Sequence, residues 1–356
     1  YMEMPNVNPL TINAAALEDK YTRAGTKSLA NFAFYLGAAN DNIDDIRGLD
    51  PKTACAVKVF MGASTGNMLV DNQETLEAIF RDCPTLIATH CEDTPMIKEL
   101  EDEYRAKSGE DVPMHMHPLI RSEEACWKSS SRAVELAKKY GTRLHVLHIT
   151  TAKELSHFTA GDLKAKRITA AACVHHLYFS EEDYAARGSH IKCNPAVKKR
   201  SDRDAILQAV RDNVIDVIAT DHAPHTIEEK AGTYFKAPAG LPLVQDALLS
   251  LLEHVHHGRL TLEQVVQKVA HAPAELFQVL ERGFIREGYH ADLVLVDLNA
   301  ATAVTPERVM SKCGWSPFAG TTFPAAIHTT IIGGEVKYAN GQIQSDTVGS
   351  RLRFDR

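Results

Sequence analysis

Residues 215–230, IDVIATDHAPHTIEEK, decide how this chain is read. The opening IDVIA is a short run of buried-type residues rich in β-formers, the pattern of a strand inside a parallel sheet. It runs directly into Asp221, His222 and His225, grouped around Pro224. A carboxylate and two imidazoles at the carboxyl end of such a strand stand where α/β barrels keep their chemistry.

The same grammar recurs upstream. YMEM (1–4), NFAFYLGA (31–38), ACAVKVFM (54–61), TLIATHC (85–91), RLHVLHIT (143–150) and ITAAACVHH (168–176) are apolar runs separated by helical patterns. Strand and helix alternating in this way predict βα units around a parallel sheet. With 215–222 they make seven strands, one short of an eight-stranded barrel. Thr151-x-x-Glu154, Ser201-x-x-Asp204 and Thr261-x-x-Gln264 have the form of helix-start capping boxes. The stretch 241–255, LPLVQDALLSLLEHV, reads as a helix packed on the barrel, with His254, His256 and His257 at its solvated end.

Beyond residue 282 the period changes to two. ADLVLVDL (291–298) and 325–343 read as antiparallel strands, the latter broken by turns at Gly333-Gly334 and Asn340-Gly341. The expected fold is therefore α/β: a (β/α)8 TIM-type barrel over residues 1–282, with its first strand missing from the chain. Residues 283–356 are expected to supply the C-terminal part of a small β-sandwich. SKCGWSPFAG (311–320) is read as a loop with Trp315 as a packing anchor.

Five strands bring ionisable groups to one rim: Lys58, His90, His145 with His148, His175 with His176, and Asp221. A single histidine at a strand end is ordinarily a satisfied core residue. Lys58 is harder to explain that way, because an ammonium between Val57, Val59 and Phe60 is costly to bury unless neutralised or paired. His145 and His148 lie three apart, so in a regular strand only one faces the barrel axis, and His148 is the choice. Imidazoles and an aspartate converging on one mouth are ligands that Zn²⁺ favours, and the chemistry such a site supports is hydrolysis.

Taken in order, MPNVNPLT (4–11), KVFMGASTGNML (58–69), THCEDT (89–94), LHVLHITTAKEL (144–155), CVHHLYFSEEDY (173–184), IKCNPAVK (191–198) and ATDHAPHTIEEK (219–230) resemble the dihydroorotases of the amidohydrolase superfamily. The resemblance spans essentially the whole chain. It implies two Zn²⁺ ions bridged by a carbamate formed from CO2 on Lys58, with His90 and His148 as ligands. It makes Asp221 both metal ligand and proton shuttle. By the same likeness Asn6, Asn194 and His225 would hold substrate, and Ala237, Pro238 and Gly240, in FKAPAGLP (235–242), would line its ring. His175, His176 and His222 would stand behind the ligands. The implied reaction interconverts dihydroorotate and N-carbamoyl-aspartate, a step in pyrimidine synthesis.

One motif of that family, HxHxR before MPN, does not occur in the chain; the expectation is that it lies upstream of Tyr1, within about 50 residues or one βα unit. HMH (115–117), followed by Pro118, is a decoy in a loop. Competing readings are a hydantoinase, dihydropyrimidinase or allantoinase, and a noncatalytic dihydroorotase-like scaffold.

Composition narrows the partners. A net charge of −7 with scattered Lys and Arg offers no basic stripe for nucleic acid. No apolar run approaches the ~20 residues of a membrane span. Seven cysteines at irregular spacing form neither a CxxC set nor a disulfide framework, and most read as buried thiols. A cytoplasmic enzyme acting on a small molecule, as a possible homodimer, is expected.

Overall fold

A computed structural model describes residues 1–64 and 66–356. Thr65, inside the segment likened to the carbamylated-lysine strand, lies outside the described residues.

The apolar runs form consecutive parallel strands: β1 (Met2–Glu3), β2 (Ala33–Phe34) continued by β3 (Leu36–Gly37), β4 (Val57–Phe60), β5 (Ile87–His90), β6 (Leu144–Val146), β7 (Ile168–Cys173) and β8 (Val217–Ala219). β1 pairs with β2, and β3 to β8 pair in chain order, all parallel. Helices fill the crossovers, as at 73–82, 94–108, 123–140 and 200–211. This is a (β/α)8-type barrel, with seven strand positions occupied among the described residues.

Side-chain alternation divides the core. Val57, Val59, Ile87, Leu144, Val146 and Ile218 face the helices in one cluster. Ala88, Leu147, Ala171 and Val217 face the bore in another. The bore is closed from below by Phe277, Leu352 and Phe354. Residues 349–356 reach that position by pairing with the barrel: Leu352 N donates to Phe32 O at 2.9 Å and Asp355 N to Gln278 O at 2.8 Å. Arg356 finishes the plug, its guanidinium donating to the carbonyls of Pro51, Ala54, Cys55 and Phe277 and to Thr85 Oγ1.

After the barrel, β9 (Leu293–Asp297), β12 (Ala326–Ile332), β13 (Glu335–Ala339) and β14 (Gln342–Ile343) make an antiparallel sheet in the order β14-β13-β12-β9. Its hairpins turn where expected. Gly333 and Gly334 have φ of 60° and 86°, Asn340 and Gly341 of 54° and 78°, the left-handed backbone that a tight hairpin requires. β10 (Thr302–Ala303) and β11 (Thr322–Phe323) form a separate pair, and Trp315 packs into the barrel–helix core.

Local expectations met mixed outcomes. Thr261 and Gln264 form a reciprocal capping box, and Thr151 receives Glu154 N at 3.3 Å while donating to its carboxylate at 2.9 Å. Ser201 does not cap: that helix begins at Arg200 behind Lys199, with no side-chain cap. His256 and His257 are solvated, but His254 is buried, because the helix turns its position toward Tyr178. Cys55, Cys91, Cys126, Cys173 and Cys193 are buried, and all seven thiols are free. No described helix is long and apolar enough to cross a membrane.

Candidate active site

The barrel mouth is built where β4 to β8 end. In the parallel register Lys58, Ala88, His145 and Thr169 share one row, and Phe60 with His90 the row above. Lys58 therefore points into the bore, 2% exposed, its Nζ 4.5 Å from the Phe60 ring centre. Burial pulls its ammonium down to about 8, against the charge of Asp221. A lysine so placed keeps a larger neutral fraction near neutral pH than an ordinary lysine, and the neutral amine is the form that adds to CO2.

His145 also faces the bore. It shares Lys58's row and hydrogen-bonds Thr169 Oγ1 through Nδ1 at 2.8 Å. The expectation that only one of His145 and His148 turns inward is thus corrected. β6 stops at Val146, and His148 adopts φ of 38°, so simple alternation ends before it. The left-handed backbone swings its ring onto His90, with His148 Nε2 3.1 Å from His90 Nδ1.

His90 is oriented from behind by a residue the sequence reading passed over. Glu92 Oε2 accepts from His90 Nε2 at 2.8 Å and from Arg121 Nη1 at 2.6 Å. Burial pushes the Glu92 carboxyl up, but Arg121 and then the His90 contact outweigh it and hold it below its usual range. Burial also keeps His90 and His148 below the ordinary histidine value, so both are neutral. With its Nε2 proton given to Glu92, His90 presents an Nδ1 lone pair to the mouth. That carboxylate–histidine arrangement is the usual support of a metal-ligating imidazole.

Asp221 follows β8 with φ of 51°, a strained conformation for a non-glycine residue. Its side chain opens to solvent at the mouth while protein surrounds it elsewhere. Desolvation raises its carboxyl, and Lys58 and His90 draw it back. Two neutral imidazoles, a neutralisable lysine and a carboxylate form a donor set that suits Zn²⁺.

The other candidates lie around this rim. His225 Nδ1 is 3.5 Å from Glu229, and its carbonyl accepts from Trp315 Nε1 at 2.8 Å. Gly240, at φ 145°, backs onto it: a Cβ there would stand 2.5 Å from Ala223 O and 3.0 Å from the His225 ring. His222 is turned outward, its Nδ1 accepting from Leu243 N at 2.9 Å. Asn194 leaves Oδ1 buried without a partner among the described residues. Asn6 is exposed beyond β1, with no side-chain hydrogen bond among the described residues. His176 Nε2 lies 3.0 Å from Pro195 O, and its ring is 3.9 Å from that of His175.

Two more buried cations were missed. Lys230 Nζ donates to the carbonyls of Lys192, Pro238 and Gly240, and Lys192 Nζ to those of Tyr234 and Ala237. Together they fix the segment holding Ala237, Pro238 and Gly240. The signal was present in IKCNP, a lysine among buried-type residues like Lys58. His117 of the HMH motif is no ligand: Nδ1 meets Tyr234 Oη at 2.9 Å and Nε2 meets Cys193 O at 2.8 Å.

The chain is similar to known proteins over most of its length. Residues 50–337 match the amidohydrolase family model. A dihydroorotase of Halobacterium salinarum is 33% identical over 330 residues, 91% of this chain and 75% of that protein. An allantoinase of Bacillus velezensis is 30% identical over 361 residues, 99% of this chain and 79% of its own length. The solved L-hydantoinase (dihydropyrimidinase) from Arthrobacter aurescens superposes with a TM-score of 0.92 at 26% identity, over 99% of this chain and 80% of that one. The chain belongs to the amidohydrolase family and is a hydrolase of cyclic amides.

Proposed function

We propose that the protein is a zinc-dependent dihydroorotase that reversibly hydrolyses the ring amide of dihydroorotate to N-carbamoyl-aspartate. The observation that carries the reading is the convergence of Lys58, His90, His148 and Asp221 on one mouth, beside a rim carrying His225 and Asn194. Dihydroorotase is also the name of the 33% identical relative.

Lys58, as its CO2 adduct, with His90, His148 and Asp221 would hold the Zn²⁺. Carbamate formation joins the nitrogen of the neutral Lys58 amine to the carbon of CO2 and releases one proton; counted from the ammonium, two protons leave, and an anion stands where a cation stood. A metal held there would polarise the amide carbonyl and acidify water. Asp221 takes the proton of the attacking water on a carboxylate oxygen and delivers it to the departing ring nitrogen, base and then acid in one cycle. Its raised carboxyl suits that exchange. Glu92 and Arg121 keep the His90 ring in place. His225 and Asn194 would meet the substrate carboxylate and ring edge, with Asn6 completing the polar contacts. The Lys192–Lys230 clamp keeps the backbone of Ala237, Pro238 and Gly240 against the ring. The division expected at 282/283 sets this machinery apart from the antiparallel strands of 293–343, while Trp315 and residues 349–356 cross back to the barrel.

The 30% identical allantoinase and the hydantoinase structure support a second substrate class on the same centre. Turnover of dihydroorotate beside hydantoin, allantoin and dihydrouracil decides between them. Dihydroorotate is expected to be preferred; activity only on the other three would overturn the assignment.

A further inference from the structure

Beside the candidate centre lies a second group of metal-type donors. Cys173 ends β7, and His175 and His176 open the short helix Val174–Tyr178 that follows. All three are buried, at 2%, 0% and 3% exposure. One donor atom from each lies within 4.8 Å of the others. Neither ring nitrogen of His175 has a hydrogen-bond partner among the described residues. An imidazole buried with both nitrogens unmet is costly, and buried polar atoms of this kind ordinarily have a water or an ion as partner.

The local chemistry favours an ion. His176 Nε2 meets the Pro195 carbonyl at 3.0 Å, and a carbonyl can only accept, so the proton sits on Nε2. Its Nδ1, buried and without a partner among the described residues, is then a bare lone pair. A carbonyl that fixes the far nitrogen is a common support of a ligating histidine. Cys193 Sγ, 3.7 Å from His176 Nε2, lies on the opposite edge of that ring and is not part of the donor set. Cys173 is in register with Ala219, two residues before Asp221. The group therefore stands on the same rim as Lys58, His90, His148 and Asp221 and shares no side chain with them.

We propose that Cys173 Sγ, a ring nitrogen of His175 and Nδ1 of His176 form a further binding site for a zinc-class divalent cation. One thiolate and two imidazoles suit zinc, with the fourth tetrahedral position left to solvent or another ligand. Donors around tetrahedral zinc stand about 3–4 Å apart. The three side chains therefore need only small rotations to close on an ion. Binding breaks the S–H bond of Cys173 and forms a metal–sulfur bond; the proton goes to buffer, both histidines enter neutral, and nothing is oxidised or reduced. The site stands whether or not dihydroorotate is the substrate.

Cobalt reports it without recourse to activity. The full chain, stripped of metal under reducing conditions, is titrated with Co²⁺ while the near-ultraviolet sulfur-to-cobalt charge-transfer band is followed. Carbamate, imidazole and carboxylate ligands give no such band. It is expected in the unsubstituted protein and in Cys193→Ser, and is lost in Cys173→Ser. Because Cys173→Ser could disturb packing, zinc-edge X-ray absorption on Cys193→Ser supplies a second reading, with zinc–sulfur scattering expected at about 2.3 Å. Absence of a sulfur signal in the unsubstituted protein, its survival in Cys173→Ser, or its loss in Cys193→Ser would overturn the site.

Discussion

The two ends of the barrel treat their polar groups in opposite ways. At the mouth, His148 and Asp221 are held in left-handed backbone, and His175 and Asn194 keep buried polar atoms without partners among the described residues. At the bottom, Arg356 donates to four carbonyls and a hydroxyl, and Leu352, Phe354 and Phe277 fill the bore. Unmet polar atoms and strained backbone cost stability and leave capacity for a ligand; the bottom keeps fewer of them, Arg356 Nε unmet among the described residues and Gln278 at φ 55°, and fills its space with packed rings. The mouth is arranged for chemistry at the expense of stability, and the bottom offsets it.

Substitutions at the two ends should therefore separate cleanly. The largest effect belongs to Asp221→Asn, which keeps shape and removes the proton carrier. Turnover of the cyclic amide should fall by about 10³-fold, while the thermal midpoint holds or rises; a variant that retains activity would end the assignment. Next, Phe354→Ala at the bottom should cost about 3–5 kcal/mol in urea unfolding, with kcat unchanged at temperatures where the variant stays folded. If it instead lost activity without losing stability, the contrast between the ends would fail.

A third test lies in the wall behind the mouth. Glu154, buried beside Thr150 and Thr151, has its carboxyl pushed by burial from 4.5 up to about 7. A raised folded value means the native state holds a proton that the unfolded chain releases. The associated stability is full below about pH 4.5 and is lost as pH rises through 7. A shift of that size corresponds to about 3 kcal/mol. Unfolding of the parent and Glu154→Gln across this window should show the difference moving in the variant's favour as pH rises; a constant difference would show that Glu154 ionises normally. The smallest effect is expected for Glu92→Gln, which keeps the hydrogen bond to His90 but removes the charge: metal affinity should weaken by about 10-fold, measured by competition with a chromophoric chelator. Unchanged affinity would remove Glu92 from the site.

The same contrast explains what could be read from the residues alone. Barrel strands announce themselves as apolar runs because both faces of a parallel sheet are buried, and the rim residues stand out as ionisable groups ending those runs. Lys58 was legible because nothing in an apolar strand excuses an ammonium. Lys192, in IKCNP, carried the same signal and was passed over; Lys230 carried none, since its partners are main-chain carbonyls from a segment that resembles any loop. The inward turn of both His145 and His148 depends on one positive φ, which no side-chain pattern encodes. Least legible was the plug. RLRFDR (351–356) has the composition of a solvated tail, and its side-chain partners lie 72 to 333 residues away in the chain.

That separation has a consequence for biosynthesis. Leu352 and Phe354 emerge from the ribosome long after all the described barrel strands, so until residues 349–356 arrive a nascent barrel has only Phe277 beneath its hydrophobic floor. Contacts so remote in sequence form slowly, and open apolar surface in the interval invites aggregation. The period of greatest vulnerability is therefore the interval between synthesis of β8 and that of residues 349–356, when a holding chaperone would have the most to protect.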